Sequence, residues 1–484
     1  MNQRPSLLIA SDEWRYWKRS KLGVSVVIAA LGLVIAAVVS TSFRISAEHT
    51  ERTSFQQTAT ETFLSQPARH PHRMVHYGHY VLRSPAPLAL VDPGVDAFSG
   101  TIMFLEGHRQ NSAVFSPRYS AAPAGPFATL TPAFAYQVLV PLLLIVIGFS
   151  AVAREREAKT ASMLMTSSVT AFQLWCGKTL ALIAIALVSL MPLAFATLYS
   201  IVTGESVLIG LLFMLGYALY LICWCFLISG FSSATRRSAN ALAYLLAVWV
   251  VLAIIVPRFA ATIADVVVPV SGKIVNDLAL LEDVRQVGDG HNANDPAFAR
   301  LRDELLEQYN VNDIAELPIN FRGVVASNSE AKLTSILTEY AEKRMAEEAG
   351  QVKIMHALGA LSPTLAARSF SMVTANTDLR QYHKFLRDAE ALRFDFVQKL
   401  NGLHIKELSY ANDVNRGASE EASQQARVSA SNWRVLDNFA WQAGSVSERL
   451  QIGLPHAFLL LAWCVVTGFL SSSISQRSLR NHDG

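Results

Sequence analysis

The chain alternates between long uncharged apolar runs and two extended polar stretches. Six runs approach or exceed the roughly 20 residues that a helix needs to cross a bilayer: Leu22–Thr41, Leu130–Ala153, Thr179–Val202, Ser206–Ser232, Ala239–Pro257 and Leu454–Ile474. None of them contains Asp, Glu, Lys or Arg. In lipid the backbone must satisfy its own polar groups, so each run is expected to be a helix. The first run is too long for the core of a cleaved leader, and Ile45-Ser46-Ala47-Glu48 is a poor processing site. The pattern predicts a mainly α membrane protein. It has six transmembrane helices and two extracytoplasmic insertions, one mixed α/β and one helical.

The insertions read differently. Residues 42–129 are dense in turn signals such as Ser84-Pro85, Asp92-Pro93-Gly94 and Ala122-Pro123. Short β-like runs, Tyr80-Val81-Leu82 and Thr101-Ile102-Met103-Phe104, lie among them. Residues 258–453 read as helical. Asp295-Pro296 is a cap-and-first-turn pair that opens a helix over Ala297–Tyr309. Longer helices are expected over Ser329–Leu358 and Leu379–Leu403. In the latter, Tyr382, Phe385, Leu386, Ala389, Leu392, Phe396 and Leu400 recur at spacings of three and four and form one apolar stripe. Before the first span, residues 1–21 carry Trp14, Tyr16 and Trp17 among basic residues, which suits an interfacial helix.

Charge changes this picture by giving it a direction. Only 16% of residues are charged, against about 25% in soluble domains. Short flanks rich in Lys and Arg favour the cytoplasm. Arg15, Lys18, Arg19 and Lys21 precede span one; Arg154, Arg156, Lys159 and Lys178 separate spans two and three; Arg236 and Arg237 separate spans four and five; Arg477 and Arg480 follow span six. Both termini are therefore expected inside, with residues 475–484 as a cytoplasmic tail, and 42–129 and 258–453 outside. The four cysteines fall in or beside spans, so no disulfide framework is expected outside. No basic cluster interleaved with aromatics points to nucleic acid.

Candidate chemistry lies in two places. The segment Glu155–Phe172 is charged, amphipathic and flanked by spans, so it must lie at the membrane surface, where it can receive force from a soluble partner. Glu155, Arg156 and Glu157 open it, and Met163, Leu164, Met165 and Phe172 supply an adaptable apolar knob. The second place is a histidine cluster, His70, His72, His76 and His79, with His108 further on. Imidazole is a common transition-metal ligand. No Cys or nearby carboxylate completes a site, and Pro71 interrupts a helix there, so hydrogen bonding within the fold competes with metal binding. Gly177-Lys178-Thr179 lacks the Gly that a phosphate-cradling loop needs at position 172, which is Phe172. Uncharged spans also argue against ion-coupled transport, and no hydrolase or metalloprotease motif is present.

This order of elements resembles type 2 permeases of ATP-binding-cassette (ABC) transporters. In that family a Glu-Arg-Glu segment opens a coupling helix that docks on the nucleotide-binding subunit. Glu155-Arg156-Glu157 and Gly177-Lys178 match it, whereas the usual Gly-Thr-Leu departs to Lys159-Thr160-Ala161. His70-Pro71-His72, Tyr77-Gly78, Asp92-Pro93-Gly94, Phe98-Ser99-Gly100, Leu361-Ser362-Pro363 and Thr377-Asp378 resemble a subfamily with a large extracytoplasmic domain before the last helix. The resemblance implies a multi-pass protein of the bacterial inner membrane, not an enzyme by itself. It binds no cofactor of its own, and ATP and Mg sit on two cytoplasmic ABC ATPase subunits. A second permease copy or paralogue completes the transporter, and a periplasmic protein is a further implied partner. Genes of this subfamily often sit in metal or siderophore settings. Two alternatives stay open: an ABC membrane subunit that transmits motion without transport, and a membrane-anchored metal-binding or sensor protein.

Overall fold

The computed structural model describes residues 5–114, 130–167, 169–436 and 441–480. The turn at Ala122-Pro123 lies outside them. Among the described residues the architecture is mainly helical, with one two-stranded sheet, and six helices are long and apolar enough to cross a membrane.

Helix α1 (Pro5–Arg19) is amphipathic and buries Glu13 and Trp17, which stand one turn apart. A left-handed Lys21 turns the chain into α2 (Leu22–Leu64). The apolar run ends at Thr41, but the helix does not. No Gly or Pro interrupts residues 42–64. Thr50, Thr53 and Thr62 fold their hydroxyls back onto carbonyls one turn earlier, at 2.7–3.0 Å. With 43 residues, α2 is ~65 Å long at 1.5 Å per residue, about twice a hydrocarbon core of ~30 Å.

The end of α2 carries the first insertion. Phe63 packs against Tyr77, His79 and Phe396, and Phe55 sits edge-on to Tyr80. Helix α3 (Pro71–Tyr77) follows. Pro71 opens this helix and does not break it, because the first helical position needs no N–H donor. Gly78, at φ +69°, ends it. Strand β1 (His79–Leu82) pairs antiparallel with β2 (Ile102–Leu105), with His79 opposite Leu105 and Leu82 opposite Ile102.

The second span combines Pro132–Phe134, a wide π turn at Ala135–Leu139, and α4 (Val140–Gly148). Short helices α5 (Ala153–Glu157) and α6 (Thr160–Thr166) then lead into α7 (Ala171–Ser189). A capping box between Thr170 and Gln173 starts α7 eight residues before the apolar run. The helix therefore takes Lys178 into its buried face. Pro192 then opens α8 (Met191–Val202).

Helix α9 (Val207–Ala234) forms the centre of the bundle, with Tyr217, Tyr220, Cys223, Trp224 and Cys225 buried. The fifth span is α10 (Ser238–Val250), a π turn and α11 (Val256–Val267). The second insertion continues with α12 (Lys273–Val284), α13 (Ala299–Tyr309), α14 (Phe321–Leu358), α15 (Pro363–Ala375), α16 (Leu379–Glu407), α17 (Tyr410–Val414) and α18 (Glu420–Gln425). Helix α19 (Val446–Arg480) is the last span. On α16 the apolar stripe is core: Phe385 and Ala389 join Val81, Met103 and Leu105, while Phe396 and Leu400 join Phe63 and Met74.

The insertions are not tethered loosely. Helix α15 drives Ala366, Ala367 and Phe370 into the core formed by the spans. A buried polar chain runs across this junction: Gln137 donates to the Tyr217 hydroxyl at 3.1 Å, Tyr217 lies 2.9 Å from Ser371, and Ser371 donates to Asp92 at 2.5 Å. Arg449, at the start of α19, grips Glu205 with both terminal nitrogens, at 2.7 and 2.8 Å, and donates to the Thr374 carbonyl.

Candidate functional site

The segment between α4 and α7 is built by its charges. Glu155, Arg156 and Glu157 do not form a free docking face; each grips a different helix. Glu155 lies 2.7 Å from Lys178 of α7 and accepts from Thr160 at 2.5 Å. Arg156 donates to the carbonyls of Ser233 and Thr235 at 2.5 and 3.2 Å, at the C-terminus of α9, where the helix dipole favours a cation. It also donates to Ser478 of α19 at 2.8 Å. Glu157 accepts from the backbone N–H and hydroxyl of Ser238 at 3.2 and 2.8 Å, capping the start of α10. Three successive residues thus reach four of the helices of spanning length.

A third acidic residue completes the arrangement. Glu13 of α1 is fully buried and lies 2.5 Å from Lys178 and 2.9 Å from Arg154. Arg154 also stacks on the Tyr16 ring at 3.6 Å. Gly177 makes this close approach feasible: a Cβ there would meet the Ser6 carbonyl oxygen at 2.6 Å and Ile9 at 2.7 Å. The Gly-Lys pair therefore docks α1 against α7. Nothing in the sequence single-handedly marks Glu13; the signal was its one-turn spacing from Trp17 on an amphipathic helix.

The apolar knob divides. Leu164 and Met165, with Ile9 and Val169, pack on Val152, Ala161, Ala171, Leu174 and Leu479. Met163 is 71% exposed and Phe172 48% exposed, so these two form the outward ridge. Between α5 and α6, Lys159 adopts φ +61°. That is a left-handed conformation favoured by Gly, and it falls where the family's Gly stands.

The four histidines weighed as metal ligands or as hydrogen-bonding groups of the fold, His70, His72, His76 and His79, do not converge on one point. His70 caps α3 and lies 3.0 Å from Asp413; His404 lies 2.7 Å from the same carboxylate and Arg416 2.5 Å. Burial raises the Asp413 carboxyl pKa, but the bonds from His404 and His70 outweigh it and hold the group well below the usual range. This network locks the first insertion onto the second. His79 packs apart from the rest, beside Phe63, and burial pushes its pKa down to about 4.

His72 and His76 do come together, on one face of α3, with their Nε2 atoms 3.2 Å apart. His108, at the end of the hairpin, and His291, in the loop after α12, close on them. Every pair of these four rings has centroids within 5.9 Å. Burial, then the neighbouring imidazoles, push His72 down to about 2. His108 Nδ1 lies 2.9 Å from Glu330, which Arg393 holds at 2.5 Å. Burial raises the Glu330 carboxyl pKa, but His108 and Arg393 outweigh it and bring it to about 2. His291 is far away in sequence and carried no signal of this contact.

Residues 112–271 match the family model described as "ABC-2 family transporter protein". Residues 278–442 match "Domain of unknown function (DUF3526)". No curated protein matches the chain. The ABC-2 match spans the second to fifth of the apolar helices and the whole segment between α4 and α7. Residues 112–271 are thus similar to ABC-2 family transporter proteins, and the six helices of spanning length among the described residues fit a multi-pass membrane protein.

Proposed function

We propose that this chain is the non-catalytic membrane subunit through which two cytoplasmic ATPase subunits drive an ABC transporter of the bacterial inner membrane. Both termini face the cytoplasm, residues 42–129 and 258–453 face outward, and a second permease copy or paralogue completes the complex. The ATPase docks on the ridge of Met163 and Phe172. Its movement passes through Glu155, Arg156 and Glu157 into the helices those residues hold. The observation that carries this reading is the clamp itself: one short segment grips α7, α9, α10 and α19 beside an exposed apolar ridge. At the outer end, the result is substrate export or rearrangement of the insertions. Metal or siderophore handling is the cargo class that the family resemblance implies.

A second reading has its own support. Helix α2 runs unbroken for 43 residues from the first span into the core of the first insertion. A rod of this kind delivers span motion to the outside without any substrate crossing. Transport into sealed proteoliposomes separates the two readings.

Met163→Asp with Phe172→Asp places charge on the ridge without touching the clamp. The ATPase is expected to be lost on co-purification while the permease keeps its melting temperature. Retention of the ATPase by that variant refutes the docking surface. Glu157→Lys is expected to weaken retention indirectly, by repelling the start of α10.

A further inference from the structure

We propose that His72, His76, His108 and His291 form a binding site for one divalent first-row transition metal, zinc being the best fit, that joins the first insertion to the second. The site is built from four imidazoles whose candidate ligand atoms all lie within 4.8 Å of one another. Tetrahedral zinc with Zn–N bonds of about 2.0–2.1 Å spaces its ligands ~3.3 Å apart. The His72 and His76 Nε2 atoms stand 3.2 Å apart, which is that spacing. The widest gap closes by about 1.5 Å, within reach of small rotations of the exposed His76 and His291 rings.

Two further observations point to a ligand. First, the His108 Nε2 atom is buried and has no hydrogen-bond partner. Its other nitrogen, Nδ1, faces the Glu330 carboxylate, whose Oε2 also accepts the His108 backbone N–H at 3.1 Å. A carboxylate behind a histidine fixes the proton on Nδ1 and turns the Nε2 lone pair outward, the usual support for a metal-bound imidazole. Second, the arrangement is repeated: His291 Nδ1 lies 3.2 Å from Asp289. Four imidazoles crowded together without a cation repel one another as soon as any two are protonated; a bound dication turns the crowding into ligation. Neutral nitrogen ligands suit zinc, copper or nickel better than magnesium or calcium.

The metal would hold α3 and the hairpin end to the loop after α12. That claim stands whether or not the ATPase docks on Met163 and Phe172, since none of these residues touches the coupling segment.

The test uses the full-length protein in detergent, with any affinity tag removed, stripped with a chelator and then titrated with zinc or cobalt. We expect one equivalent per chain, and with cobalt the intense visible bands of a tetrahedral centre. His291→Ala changes an exposed side chain and is expected to weaken zinc binding at least tenfold while leaving the apo melting temperature unchanged. Glu330→Gln, one step removed from the metal, is expected to weaken it ~10–100-fold. His79→Asn, outside the cluster, is expected to bind as the wild type does. Absence of a stoichiometric metal in the wild type overturns the proposal. So does wild-type affinity in both His291→Ala and His76→Ala.

Discussion

Replacing Lys178 by Met removes one of four charges that α1, α7 and the segment between α4 and α7 bury together. Lys178 lies 2.5 Å from Glu13 and 2.7 Å from Glu155, with only 3% of its side chain exposed. Removing one partner of a buried pair costs about 3–5 kcal/mol, because the other charge stays behind uncompensated. Here Arg154 still reaches the same Glu13 oxygen at 2.9 Å, so the lower end applies, about 3 kcal/mol. Glu13→Gln alone leaves Lys178 on Glu155 and costs about 1–3 kcal/mol. The double variant removes one charge of each sign and leaves Arg154 facing Glu155, so its penalty falls short of the sum by about 2 kcal/mol. At roughly 2 °C per kcal/mol for a large chain, Lys178→Met should melt about 6 °C lower. The double variant, at about 2–4 kcal/mol, should melt about 4–8 °C lower, well short of the sum of the single shifts. Fluorescence melting of the purified protein in detergent reads all four corners of the cycle. Strictly additive shifts, or a Lys178→Met variant that melts like the wild type, would show that the quartet does not anchor α1.

Two other outcomes follow from local geometry. Lys159 holds φ +61° between α5 and α6. A left-handed residue with a Cβ costs about 1–2 kcal/mol, partly offset by the extra freedom Gly has when unfolded, about 0.4–1 kcal/mol. Lys159→Gly should therefore raise the melting temperature slightly, and Lys159→Val should lower it. His79 has a folded pKa depressed to about 4 by burial. Its contribution to stability is full above the unfolded value near pH 6.5 and declines as pH falls from there toward 4. His79→Asn should flatten that part of a melting profile measured from pH 8 to pH 4.

How much was legible in the sequence depended on the range of the interaction. The stripe from Tyr382 to Leu400 spelled out a helix and its buried face, since periodicity records one-sided burial directly. The strand pair at Tyr80–Leu82 and Ile102–Phe104 was equally local. Helix α2 showed a limit. Hydropathy marks where lipid-like surroundings end, near Thr41, but the backbone stays helical until a breaker intervenes, and none stands before Pro67. Pro71 gave the opposite lesson, because a helix breaker at the interior is a helix starter at the first position. The charged, amphipathic character of residues 155–172 is legible in the sequence, but the direction of its charges is not, because Ser233, Ser238 and Ser478 that satisfy them are distant in sequence. The histidine centre was half found for the same reason. His72 and His76 share a helix face, while His108 and His291 arrive from other elements.

The central claim is that motion imposed on the coupling segment travels through Arg156 and its neighbours to the insertions. Hydrogen exchange on the reconstituted complex of permease and ATPase, with and without ATP, measures this at both ends. The account predicts an ATP-dependent change in exchange over residues 71–77 and 379–407 of the wild type. In Arg156→Gln that change should vanish although the ATPase remains bound. An unchanged pattern in the wild type, or the same change in the variant, would contradict it.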